Sequence, residues 1–125
     1  MLESADLIHL YTRAEAIHDG VLIDVSAVAR EAGLRYPVAL TRAAWERCVA
    51  VPPRVEGQDE QGRLCAVLWI LALSAGSCDK SELRFAVQVR NDNRRRTPPL
   101  VHLKAICGPG DQGEPVLTVL LSDED

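Results

Sequence analysis

The feature that most constrains this chain is a change of hydrophobic period after "GSCDK" (residues 76–80). Beyond it, apolar and polar residues alternate in three separate runs. "ELRFAVQVR" sets Leu83, Phe85, Val87 and Val89 against Arg84, Gln88 and Arg90, and "PLVHLKAIC" sets Val101, Leu103, Ala105 and Cys107 against His102, Lys104 and Ile106. "PVLTVLLS" is the third. A period of two describes a strand with one buried face. Before residue 76 the apolar residues recur mainly at helical spacing. Helices first and three neighbouring strands last define an α+β fold, with N-terminal helices packed on a C-terminal antiparallel β-meander. At 125 residues a single domain over 1–125 is expected. A chain that is 47% hydrophobic and 26% charged carries enough apolar surface for one core, and lacks the signature of disorder.

The first half reads as helices separated by short extended pieces. "SADLIHLYTRAEAIHDG" places Leu7, Leu10, Tyr11, Ala14 and Ile17 on one helical face, with Ser4 as N-cap, Asp6 in the first turn and Gly20 as the stop. "VLIDV" is β-branched and short, which favours a strand. Ser26 is the expected cap of a second helix, "SAVAREAG", closed by Gly33. "YPVAL" is extended because Pro37 pushes its predecessor out of the helical region. Thr41 caps "TRAAWERCVA", and Pro52-Pro53 forbids its continuation. After a polar loop over 52–62, Asp59 and Glu60 lead into "RLCAVLWILALSA". This segment is apolar on nearly every side and reads as the central buried helix. The core predicted from these patterns is Leu7, Tyr11, Trp45, Leu68, Trp69, Leu71, Phe85, Val87, Leu103 and Leu117.

Between the second and third alternating runs lies "CGPGDQGEP", Cys107 to Pro115. Its glycines permit tight reversal, and Pro109 and Pro115 remove ladder donors. A phosphate loop would open a helix. A strand follows here instead, and Asp111 and Glu114 would repel an anion. Paired carboxylates could bind a cation or do acid–base work, yet no His or Lys lies beside them. The stretch is read as a hairpin loop. His9 and His18 are nine apart and point to different sides of the first helix. His18 suits a helix C-terminus, and His102 lies on the polar side of its strand. Cys48, Cys65, Cys78 and Cys107 show no zinc spacing, and are expected as free, mostly buried thiols. No catalytic residue, metal site or cofactor is expected.

Charge is unevenly distributed. The net charge of −4 argues against a dedicated duplex-binding protein. Even so, Arg84, Arg90, Arg94, Arg95, Arg96 and Lys104 form a basic region, and "NDNRRRTPP" falls in the first meander turn. From Asp111 onward every charge is acidic. Charge runs of this kind are usually solvated surface. The functional reading is a contact in which arginine forks grip carboxylates or phosphates. The candidate binding residues are Arg90, Arg94, Arg95, Arg96, Asp111 and Glu114. The longest apolar stretch is too short to span a bilayer, which needs about 20 residues, and the acidic N-terminus does not resemble a secretory signal. A cytoplasmic protein with no membrane role is expected.

The segments "ADLIHLYTRAEAIHDGVLIDVSAVAREAGLRYPVALTRAAWERCV" and "LVHLKAICGPGDQGEPVLTVLLSDED" closely resemble an uncharacterised family of short bacterial proteins, a domain of unknown function carried on plasmids and integrative conjugative elements. Members of that family often show "RLWDVLWM" where this chain reads "RLCAVLWI", so Cys65 and Ala66 replace a large residue and an acid. The family brings no assigned activity, and no catalytic residue is carried over. The resemblance implies cargo of a mobile element, and small non-enzymatic cargo of that kind often blunts host defences. The expectation is therefore a non-catalytic accessory protein binding a host protein, such as a restriction or CRISPR nuclease complex. The alternative is a nucleic-acid-binding accessory or small enzyme using the Arg94–Arg96 and Cys107–Pro115 loops.

Overall fold

The structure, a computed structural model, describes residues 11–75, 81–93 and 97–124. It is an α+β domain built on one five-stranded mixed sheet with four described helices. In chain order these are α1 (Arg13–His18), β1 (Leu22–Asp24), α2 (Ser26–Glu31), β2 (Val38–Thr41), α3 (Arg42–Cys48), α4 (Glu60–Ala75), β3 (Glu82–Gln88), β4 (Leu100–Pro109) and β5 (Pro115–Leu121).

Local chemistry sets most of these boundaries. The Thr12 hydroxyl accepts the Glu15 amide and starts α1, and Gly20 at φ 77° lets the chain leave it. Ser4, Leu7 and Leu10 lie outside the described residues. Tyr11 is a correction to the expected core: it precedes the cap, is 45% exposed, and its hydroxyl donates to Asp19. Ser26 is a second correction. It is the first residue of α2 and does not cap it; its hydroxyl donates to Asp24 and accepts the Val38 amide. The hydroxyl thus ties the start of α2 to β2. Thr41 does cap α3, accepting the Ala44 amide at 3.2 Å, and donates its own proton to Glu124 at 2.8 Å.

The strand order is β1-β2-β5-β4-β3. β3, β4 and β5 pair antiparallel, as an alternating sequence with tight reversals requires. The sheet does not stop at a three-stranded meander, which corrects the sequence reading. β5 pairs parallel with β2 (Val38 opposite Leu117, Leu40 opposite Val119), and β2 pairs antiparallel with β1. The N-terminal half therefore supplies two strands as well as helices.

Helices lie on both faces of this sheet. Val38, Leu40, Phe85, Val87, Leu103, Ala105 and Val119 point to one side and share a core with residues of α2, α3 and α4. α1 lies on the other side: the Arg13 side chain reaches Thr118, which alternates with the core-facing Leu117 and Val119. Leu68, Leu71, Phe85, Val87 and Leu103 are buried as expected, and Trp45 and Leu117 pack against the core from its margin. Trp69 is a third correction, at 58% exposed, with Leu73 at 62%. α4 is not enclosed. It rests Leu64, Val67, Leu68 and Leu71 on the core and turns an equally apolar face outward.

Candidate functional site

The 89–99 connection between β3 and β4 carries the basic run, and its first arm is fastened to the body by a buried guanidinium. Arg63 in α4 is only 6% exposed. It donates to the Ala50 carbonyl beyond α3 (2.7 Å), to the Arg90 carbonyl (3.2 Å) and to the Asn91 side-chain oxygen (2.7 Å). Asn91 in turn donates to the Arg47 carbonyl at 3.0 Å, and Asn93 donates to the Arg54 carbonyl at 2.8 Å. Three segments distant in sequence thus meet on one fork, a geometry that a planar guanidinium supplies and an ammonium does not. Desolvation lowers the Arg63 pKa from its ordinary value. Arg90 is half-buried at the base of this arm. Arg94, Arg95 and Arg96 lie outside the described residues, directly after the anchored Asn93 in sequence.

Sequence reasoning passed over Arg63, although a signal was present. Arg63, Val67 and Leu71 are spaced i, i+4, i+8, so the buried stripe of α4 runs onto the arginine. Beside it is a cleft of about 220 Å³ lined by Cys48, Asp59, Arg63, Val67 and Val87. Burial pushes the Cys48 thiol up to about 11, against smaller opposing effects of Arg47 and Arg63. A thiol in that state stays protonated at neutral pH and is a poor nucleophile.

The acidic candidates fall in the β4–β5 hairpin, where Pro109 stands opposite Pro115 and Gly113 takes φ 81°. Both carboxylate oxygens of Asp111 are engaged. They accept the amides of Arg13 (2.8 Å) and Ala14 (3.0 Å), so Asp111 caps α1 from the far end of the chain. Arg13 returns the contact, donating to Thr118 at 2.8 Å and to the Leu117 carbonyl at 2.9 Å. Glu114 accepts the Gln112 amide within its own loop. Asp111 holds the hairpin to α1 and Glu114 closes the hairpin itself, and neither bonds to the 89–99 connection. Glu124 has a comparable role, accepting from Thr41 and the Leu121 amide while its carbonyl receives the Lys104 ammonium. Lys104 is thereby buried on a side of β4 expected to face water.

His18 and His102 are exposed on the surface. Cys48, Cys65 and Cys107 are free thiols; Cys48 is buried, Cys107 half-buried and Cys65 exposed, so the described thiols are less buried than expected, and Cys78 lies outside the described residues. Among the described residues no three His, Cys, Asp or Glu side chains gather as a metal site would require. Among the same residues no helix is long and apolar enough to cross a membrane.

Neither a curated protein nor a solved structure matches the sequence. A family match does exist and spans residues 1–125: the chain belongs to a family of unknown function, DUF6573.

Proposed function

We propose that this chain is a small, non-catalytic, protein-binding accessory protein whose contact is made by the arginine-bearing 89–99 connection. The observation that carries this reading is the fastening of that connection by Arg63, Asn91 and Asn93 to α3, α4 and the loop between them. Ordering a loop on binding costs free energy, and an arm fixed beforehand avoids part of that cost. Arginine forks presented from such an arm suit carboxylates on a protein surface.

The engagement of Asp111, Glu114 and Glu124 in internal bonds bears on the form of the contact. It weighs against these acidic residues as the contact, and it leaves the basic connection as the better one. Resemblance to proteins carried on plasmids and conjugative elements supports an accessory role. Inhibition of a host defence nuclease complex, in a restriction or CRISPR system, is the specific form we put forward. The partner surface should be acidic.

The competing reading is nucleic-acid binding by the same arginines, and salt separates the two. Phosphate contacts make affinity fall by roughly one power of salt per phosphate neutralised. The test is fluorescence anisotropy with labelled duplex and single-stranded DNA across a salt series. Wild type and the Arg94→Ala/Arg95→Ala/Arg96→Ala variant are compared. Wild type should show no binding at about 150 mM salt, where a screening length of about 8 Å leaves little non-specific attraction for a chain of charge −4. Salt-dependent binding by wild type that disappears in the variant would replace the protein-binding reading with the nucleic-acid one.

A further inference from the structure

The bonds that fasten the arm do not exhaust Arg63. A guanidinium carries five N–H donors. Those to the Ala50 carbonyl, the Arg90 carbonyl and Asn91 leave from Nη1 and Nη2, so three donors are engaged and Nε–H is not among them. Among the described residues no buried side-chain nitrogen or oxygen lacks a hydrogen-bond partner, so Nε must touch solvent although the residue as a whole is buried. Among the cavities these residues line, Arg63 borders the cleft of about 220 Å³.

The charge of the group is also unmatched. Ion pairs among the described residues are Arg42–Glu46 and Arg84–Glu82, while Arg63 bonds two carbonyls and an amide oxygen. Buried charges are as a rule paired. The acid in the cleft wall is Asp59, and its carboxylate is turned to the start of α4, where it accepts the Gly62 amide at 2.5 Å. Ala66, Val67 and Val87 make the wall apolar beside the guanidinium. Such a wall suits a short aliphatic stem that ends in a carboxylate, and a glutamate side chain has that form. The cleft also opens at the foot of the arginine connection. Gln88 and Val89 in its wall lead into that connection, and the loop that supplies Gly57 and Asp59 holds Asn93 through the Arg54 carbonyl.

We infer that this cleft receives a glutamate side chain of the protein partner, with its carboxylate on Arg63 and its stem against Val67 and Val87. That the occupant belongs to a protein rests on the protein-binding reading above. That the cleft takes an aliphatic carboxylate rests on Arg63 and the wall alone. Arg63 then serves twice, as the fastening of the arm and as a sheltered anchor at its root. A pair formed inside the cleft is screened by salt less than one made by exposed arginines.

The test is an NMR titration of the isotope-labelled full chain with N-acetylglutamate N-methylamide at constant ionic strength, reading the Arg63 Nε–Hε signal and the Val67 and Val89 amides. Saturable shifts are expected, with a dissociation constant of roughly 1–30 mM, the scale of one anchor without the rest of an interface. The glutamine analogue should bind at least about 10-fold more weakly, because it loses the charge-assisted bond. Asp59→Asn keeps a capping side chain and removes the competing charge, so it should tighten binding by roughly 3-fold or more. Ala66→Glu, at an exposed position, gives the cleft a carboxylate of its own and should abolish binding while circular dichroism and the unfolding midpoint stay at or above wild type. Equal binding of the glutamate and glutamine compounds would overturn the proposal. So would tighter binding of inorganic phosphate, or the absence of a saturable Arg63 shift up to about 100 mM probe. None of these results involves Arg94, Arg95 or Arg96, so a failure here is distinct from a failure of the arginine contact, which the salt series tests separately.

Discussion

Arg63→Met removes the fork that joins three segments while keeping most of the aliphatic stem. Three hydrogen bonds go, to the Ala50 and Arg90 carbonyls and to Asn91. Bonds made by a charged donor contribute about 1.5–3 kcal/mol each, so the gross loss is roughly 5–9 kcal/mol. Against it stands the desolvation of a cation that is only 6% exposed, which costs several kcal/mol and vanishes with the charge. The acceptors left behind are near the surface, and some regain water. The difference is a net destabilisation of about 3 kcal/mol. Arg63→Lys keeps the charge but reaches fewer acceptors, so it should fall about midway. Equilibrium urea unfolding measures both, with an unchanged denaturant slope marking a change in stability alone. Amide exchange at Arg90 to Asn93 should rise by more than the global loss explains, because the clamp holds that arm locally. A loss below about 1 kcal/mol for Arg63→Met, or full stability in Arg63→Lys, would show that the arm is held by something else.

Other consequences are simpler. Asp111→Ala should cost about 1 kcal/mol, the usual worth of a cap, and thermal unfolding should record it together with faster exchange at the Arg13 and Ala14 amides. Leu68→Ala should cost about 2–5 kcal/mol because its side chain is fully buried, whereas Trp69→Ala should cost below about 1 kcal/mol. Had Trp69 been in the core, as its sequence context implies, it would have been the costlier of the two. The Cys48 thiol, raised in the folded state to about 11 from an ordinary value of 9.0, stays protonated while the unfolded chain ionises. Its contribution to stability is complete below about pH 9 and is lost as pH rises towards 11, a fall of about 2–3 kcal/mol at 1.36 kcal/mol per unit. Cys48→Ala should flatten that alkaline limb in urea titrations at pH 8, 9, 10 and 11, and an unchanged limb would count against the burial of the thiol.

What could be read from the sequence was what neighbours in the chain decide. Thr41 capping α3, Gly20 and Gly33 closing helices, and the alternation of Leu83 to Val89 each depend on a few adjacent residues. The hairpin reading of "CGPGDQGEP" held for the same reason. The pairing of Val38–Leu40 with Leu117–Val119 joins segments nearly 80 residues apart, and nothing in "YPVAL" names its partner strand. Orientation of α4 was illegible for a different reason. With apolar residues all round, Leu68 and Trp69 are equally suited to burial by type, and only the packing on β3 separates them. At the candidate site the sequence showed the charges but not their duties. Arg63 and Asp111 are each engaged by backbone groups brought in from elsewhere, and Glu124 by the distant Thr41 hydroxyl, which local spacing does not reveal.

The central claim is that the arginine-bearing connection binds a protein, and capture from a bacterial lysate tests it most directly. The lysate is treated with nuclease so that nucleic acid cannot bridge. Immobilised wild type is compared by quantitative mass spectrometry with Arg94→Ala/Arg95→Ala/Arg96→Ala and with Arg63→Met. The expected result is a defined protein or complex retained by wild type, lost from the triple variant, and reduced with Arg63→Met, where the arginines remain but their base is loosened. Equal capture by wild type and the triple variant would contradict the claim and leave the basic run as solvated surface.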